Sequence, residues 1–181
     1  MSRDQLVTDW IAGRFPNQPV EITPASADAS FRRYFRLTWP DGGTRILMDA
    51  PPEKEDCTPF VHVAGLLAEA GLAAPRILDQ DLANGFLVLT DLGRVGYLDA
   101  LNADRGLADT LLRPVLDVLV KWQLSSRAST LPPYDATLLR RELDLFPEWF
   151  VGRHLGYPLR DDEKVMLDRT FRFLINSALN Q

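Results

Sequence analysis

The sequence is short of most residues that announce a chemistry by themselves. It has one cysteine, Cys57, so no disulfide can close within the chain, and one cysteine with two histidines cannot assemble a zinc site of the usual ligand count. A lone cysteine beside acids is read as incidental. Basic charge is not in excess: 20 Lys and Arg against 25 Asp and Glu leave a net charge of −5, with no dense basic cluster, so nucleic-acid capture is not expected. No apolar run reaches the roughly 18 residues of a membrane span, and MSRDQLVTDWIAGRF carries acids where a leader peptide would have an apolar core. A cytoplasmic protein without a membrane partner is expected. Repeats and low-complexity runs are missing too. What is there is average soluble composition, 46% hydrophobic and 25% charged over 181 residues, enough to bury a real core.

Helical spacing in DQLVTDWIAG puts Leu6, Trp10 and Ile11 on one face and predicts an amphipathic helix ending at Gly13. From Pro19 the period changes to two. VEIT, FRRYFRLTW and RILMDA read as strands, the last two joined at the turn PDGG. The middle strand alternates, with Phe31, Arg33, Phe35 and Leu37 on one face and Arg32, Tyr34 and Arg36 on the other. Thr58 followed by Pro59 predicts a helix N-cap, and VHVAGLLAEAG a helix closed at Gly71. RILDQD and FLVLTDLG predict a hairpin turning at Ala83, Asn84 and Gly85. Beyond Gly96 the strands stop. TLLRPVLDVLVKWQLSS, ATLLRRELDLFPEWFVGRHLG and DDEKVMLDRTFRFLINSALN read as three helices, the first bent at Pro114 and the last opening with acids that suit its dipole. The expectation is an α+β fold in two parts, residues 1–92 with the sheet and residues 93–181 all helical.

Between Ala25 and Asp56, ASADASFRRYFRLTWPDGGTRILMDAPPEKED has the outline of a phosphate-gripping hairpin. It lacks a glycine in the first loop and a lysine in the last strand. Small residues still let backbone N–H groups approach phosphate oxygens, whereas the bland reading of ASADAS is a polar turn.

Four segments, taken in order, carry a resemblance. They are ASADASFRRYFRL (25–37), LMDAPPEKED (47–56), FLVLTDLG (86–93) followed by YLDAL (97–101), and LLRRELDLFPEWFVGRHLG (138–156). Together they resemble the aminoglycoside-phosphotransferase-like group of protein-kinase-like enzymes. Within it they are most similar to the anomeric amino-sugar kinases, which phosphorylate N-acetylmuramate and N-acetylglucosamine at C1 in peptidoglycan recycling. The resemblance implies a five-stranded antiparallel N-lobe sheet with one helix, a hinge, and the start of an all-helical C-lobe. It implies ATP with its adenine against Thr90, Asp91 and Leu92 and its phosphates under Ser26, Ala27, Asp28, Ala29 and Ser30. Mg²⁺ would bridge the phosphates, with its protein ligands outside this chain. Glu142, Phe146, Glu148 and Trp149 would offer carboxylates and aromatic faces to the sugar, although with Leu138, Leu139 and Leu145 they also have the spacing of a helix core.

The strand where kinases of this fold carry a lysine reads Ile46-Leu47-Met48-Asp49, and the following helix has no glutamate in PFVHVAG. Arg32 is the candidate replacement, because a guanidinium grips phosphate bidentately, while alternation turns Arg33 away from it. The alternative is that these arginines pair with Asp49, Glu53 or Glu55. The family's catalytic loop, His-x-Asp-x-x-x-x-Asn, is absent, since His62 is followed by Val63 and Ala64 and His154 by Leu155 and Gly156. No catalytic residue is therefore assigned, and the chain is expected to be the amino-terminal part of a kinase, able at most to bind nucleotide. Two other readings stand: the same fold acting on an aminoglycoside, choline or another small alcohol, or a non-catalytic nucleotide-binding or interaction module whose exposed apolar surface drives self-association.

Overall fold

A computed structural model of the chain describes residues 2–26 and 30–180. Helix α1, Arg3–Arg14, starts where the Ser2 hydroxyl accepts the Gln5 N–H, and Asp4 and Arg14 match the two ends of its dipole. Its buried residues are Val7 and Ile11, one turn apart. Leu6 and Trp10 flank them, so the apolar face is rotated by one position from the predicted one.

Five strands follow: β1 (Glu21–Ser26), β2 (Arg33–Thr38), β3 (Thr44–Asp49), β4 (Ile77–Asp81) and β5 (Phe86–Thr90). They form one antiparallel sheet in the order β1-β2-β3-β5-β4. Pro24 sits on the edge strand β1 beside a bulge, where its missing N–H costs no central ladder bond. The β4–β5 turn needs its glycine. Gly85 has φ +71°, and a Cβ there would stand 1.8 Å from the Ala50 carbonyl oxygen, whose own N–H donates to the Gly85 carbonyl.

Cross-strand register divides the sheet residues between two faces. One face joins Leu37, Leu47, Phe86 and Val88 to Val7 and Ile11 of α1. The other joins Met48, Ala50, Leu87 and Leu89 to Cys57 and to Phe60 and Val61 of helix α2, Thr58–Glu69. Both faces of the sheet are thus covered, each fully buried Leu, Phe or Val contributing roughly 2 kcal/mol. Helix α2 differs from its predicted cap: Thr58 is already helical, Cys57 precedes it without a side-chain bond, and the Asp56 carboxylate accepts the Thr58 N–H instead. That bond holds Asp56 below the usual carboxylate range. The helix closes as predicted, with Gly71 at φ +64°.

After β5 come α3 (Tyr97–Ala103), a 3₁₀ turn (Arg105–Leu107) and α4 (Ala108–Ser125), which runs uninterrupted through Pro114. The short α3 has no counterpart among the predicted helices. Lys121 of α4 donates to the Gly71 carbonyl and so ties α4 to the end of α2. The chain packs as two compact units, Met1–Ser126 and Arg127–Gln181.

The second unit holds α5 (Ala136–Leu145), a π-helix (Phe146–His154) and α6 (Asp161–Leu179). Asp135 caps α5 through the Leu138 N–H. The predicted single helix over this stretch changes its hydrogen bonding at Phe146, where the N–H of Leu155 reaches five residues back to Phe150. Arg140 of α5 bonds both Asp144 and Asp168, and Asp168 pairs in turn with Arg172, so one acid stitches α5 to α6 over the buried Phe171 and Ile175.

Candidate functional site

The arginines that follow the β1–β2 loop separate as alternation predicts. Arg33 pairs across the ladder with Asp49, on the α1 face. Its guanidinium donates to the fully buried Asp49 carboxylate at 2.6 and 2.9 Å and to Asp4 at 2.6 Å. Arg3 holds the other Asp49 oxygen and lies 4.5 Å over the Phe86 ring. These partners fix Arg33 on the side of the sheet opposite α2, so it cannot serve a ligand there.

Arg36 lies on the α2 face and does a different job. It donates twice to Asp91, at 2.6 and 3.0 Å, and once to the Gly93 carbonyl at 2.8 Å, while Asp91 also accepts the Gly93 N–H. Both side chains are buried, 7% and 5% exposed. The Arg36 hydrogen bonds, against the opposing cost of burial, hold the Asp91 carboxyl far below the usual range. The segment after β5 is therefore locked to β2. Thr90 is fixed as well: its N–H donates to the Arg76 carbonyl and its hydroxyl accepts the Arg76 N–H. With the Asp91 carboxylate committed to Arg36, this segment offers a ligand its backbone and the exposed side chain of Leu92.

Arg32 stands just before β2 and faces α2. Its Nε is 3.3 Å from Glu55, whose other oxygen accepts the Phe31 N–H. Strand β3, which carries no lysine, turns Met48 into the layer under α2, where it is wholly buried. Of the loop expected to cover phosphates, Ser26 ends β1 opposite Tyr34 and the Ser30 hydroxyl accepts the Arg32 N–H. Ala27, Asp28 and Ala29 lie outside the described residues.

Two cavities connect these elements. One of about 350 Å³ is lined by Thr90, Leu92, Leu72 to Arg76, Ala64 and Ala68. The next, about 320 Å³, is lined by Arg32, Pro59, Phe60, Val63, Leu67 and the same Ala64, Ala74 and Pro75. The shared wall makes a mostly apolar trough, with the Thr90–Leu92 segment and Arg76 at one end and Arg32 at the other. Small side chains at Ala64, Ala68, Ala73 and Ala74 keep it open. Sequence reasoning named both ends but missed Ala64, Ala74 and Pro75, and missed the Arg36–Asp91 pair, whose partners are 55 residues apart.

The residues expected to face a sugar lie in the second unit. Glu142 is on α5, and Phe146, Glu148 and Trp149 open the π-helix. Phe146 and Trp149 are half exposed, so among the described residues they are not core. Arg153 stacks 3.9 Å over Trp149 and pairs with Glu148 at 3.4 Å. The wider π turn brings Phe146, Phe150 and His154 into one stack, each ring centroid 5.6 Å from the next. The result is an aromatic column beside a carboxylate and a guanidinium, a surface suited to the apolar side and hydroxyls of a polar ring.

Cys57 is buried, and burial pushes its thiol up, against the pull of Arg32, so it is not poised as a nucleophile. Among the described residues no group of three His, Cys, Asp or Glu is arranged to hold a metal, and no helix is long and apolar enough to cross a membrane.

Comparison with known proteins gives a consistent picture. Residues 21–180 match the phosphotransferase enzyme family. The chain is 55% identical to an N-acetylmuramate/N-acetylglucosamine kinase of Pseudomonas aeruginosa over 165 residues, 90% of this chain and 47% of that protein. It is 50% identical to the protein of the same name from Pseudomonas putida over 161 residues, 88% of this chain and 46% of the other. With the one from Neisseria meningitidis serogroup B it shares 37% identity over 183 residues, 100% of this chain and 54% of the other. The chain thus spans about half the length of the curated relatives it matches.

Proposed function

The chain belongs to the phosphotransferase enzyme family, and on that premise we propose that it supplies the nucleotide-binding part of a cytoplasmic, ATP-dependent amino-sugar kinase. The observation that carries the proposal is the trough running from Thr90 and Leu92 to Arg32 along α2. In this reading residues 1–92 form the nucleotide lobe and residues 93–181 the hinge and the first helices of the second lobe. Adenine lies against Thr90–Leu92, whose backbone the Arg36–Asp91 pair holds in place. The phosphates reach Arg32 under the loop from Ser26 to Ser30. Mg²⁺ would supply charge neutralisation at the phosphates, and among the described residues no group of three His, Cys, Asp or Glu is arranged to hold it. What the chain's own residues contribute is orientation and fixed positive charge, the main currency of phosphoryl transfer.

The acceptor proposed is the anomeric hydroxyl of N-acetylmuramate or N-acetylglucosamine, as the names of the relatives suggest. Glu142, Phe146, Glu148 and Trp149 are proposed to contact it. The test is ADP formation by the whole protein with each amino sugar, an aminoglycoside and choline as acceptors. Turnover that depends on an amino sugar and yields the 1-phosphate is expected. Turnover with choline or an aminoglycoside alone would replace the acceptor and keep the kinase, whereas no ATP binding at all would overturn the reading.

A second reading has its own support. Along α4 no residue is buried, and Leu116 and Leu124 are 61% and 83% exposed. An apolar stripe of that kind favours self-association of the 181-residue chain when it stands alone.

A further inference from the structure

Glu55 ends the acidic loop between β3 and α2, two residues before the buried Cys57. Its carboxylate is engaged twice. Oε1 accepts the backbone N–H of Phe31 at 3.0 Å, and Oε2 stands 3.3 Å from Nε of Arg32. Both contacts reach from residue 55 to the first residues after the loop 26–30. The Glu55 side chain is 14% exposed and that of Arg32 29%, so the pair is partly withdrawn from water, where its attraction exceeds that of a free surface pair. A guanidinium has five N–H donors, and a carboxylate on its Nε edge leaves others to meet a second anion.

Neighbouring acids divide the work. Asp56 is spent on the Thr58 N–H at the start of α2, and Asp49 is enclosed between Arg3 and Arg33 on the far face of the sheet. Among the described residues, Glu55 is the acid that reaches Arg32.

We infer that Glu55 is a positioning residue for the nucleotide phosphates: it aims Arg32 into the trough and holds the backbone of Phe31 beside it. The inference rests on the nucleotide-binding reading above. It also accounts for a strand β3 without lysine. In kinases of this fold the cation stands on the third strand and its acid in the following helix. Here the third strand turns a buried Met48 toward α2, the cation stands before β2, and the acid stands before α2.

The test is calorimetric binding of Mg·ATP and of adenosine to the whole protein, as wild type, Glu55→Gln and Glu55→Ala. Glutamine keeps an oxygen for the Phe31 N–H and loses the charge. Affinity for Mg·ATP is expected to fall about tenfold in Glu55→Gln and further in Glu55→Ala, with adenosine affinity unchanged in both. An equal fall for adenosine and ATP would give Glu55 a merely structural role and overturn the inference, and so would an unchanged affinity for Mg·ATP. A wild type that binds neither ligand would instead bring down the nucleotide-binding reading and the inference with it.

Discussion

Strand β5 and helix α4 are both rich in apolar side chains and come out differently. Every residue from Phe86 to Leu89 of β5 is buried, clamped between α1 on one face and α2 on the other. Along α4, by contrast, Leu112, Val115, Leu116, Leu119, Val120 and Leu124 are all exposed. The sheet satisfies its own hydrophobic demand within this chain, and α4 does not. Substitutions should therefore be costly in the first region and nearly silent for stability in the second.

Gly85→Ala should have the largest effect. The added Cβ meets the Ala50 carbonyl oxygen, and the positive φ is itself strained for alanine, so a loss of at least about 3 kcal/mol in denaturant unfolding is expected. A variant of near wild-type stability would mean the turn between β4 and β5 can move, which would break the contrast.

Next comes Asp91→Asn, which leaves the buried Arg36 without its counter-charge and should cost about 3 kcal/mol at pH 7. The pH dependence has a definite sign. An aspartate in an unfolded chain titrates near about pH 3.9, and Arg36 holds the folded Asp91 well below that. The stability it contributes is present above about pH 4 and is lost as the pH falls toward the folded value. Unfolding at pH 7 and pH 3 should show the gap between wild type and Asp91→Asn narrowing in acid. A gap that stays constant would assign the loss to packing.

The smallest effect is expected from Leu124→Gln on α4, within about 0.5 kcal/mol of wild type. The same substitution should lower the sedimentation-measured association of the 181-residue chain. A loss comparable to that of Gly85→Ala would show that α4 is buried after all and would erase the distinction.

Legibility in the sequence follows the same divide. Period-two alternation located the strands and sent Arg33 to the opposite face from Arg32, because a pleated strand leaves a side chain no other choice. Gly71 and Gly85 read correctly because each stands at a positive φ that few other residues tolerate. The Thr58 cap misread because Thr58 is already the first helical residue, its own N–H taken up by Asp56 two residues earlier. Helix α3, with seven residues and no buried side chain, has too little periodicity to be seen. The π-helix was not read, although Pro147, which lacks the N–H that an α-helix interior uses, stands where the hydrogen bonding changes. In the candidate site, Arg32 was named from the chemistry of its side chain, and it lines the cavity beside α2. Glu55 appeared only as one of three acids that could pair with it, since the choice depends on a fold that brings positions 31 and 55 together.

The most direct measurement is the affinity of the whole protein for Mg·ATP with Arg32 intact and as Arg32→Gln. If the trough from Leu92 to Arg32 holds a nucleotide with its phosphates at the Arg32 end, the substitution should weaken binding by about tenfold or more, as expected for a lost charge-assisted hydrogen bond. Equal affinities would mean that Arg32 does not touch the phosphates, and would contradict the account at its centre.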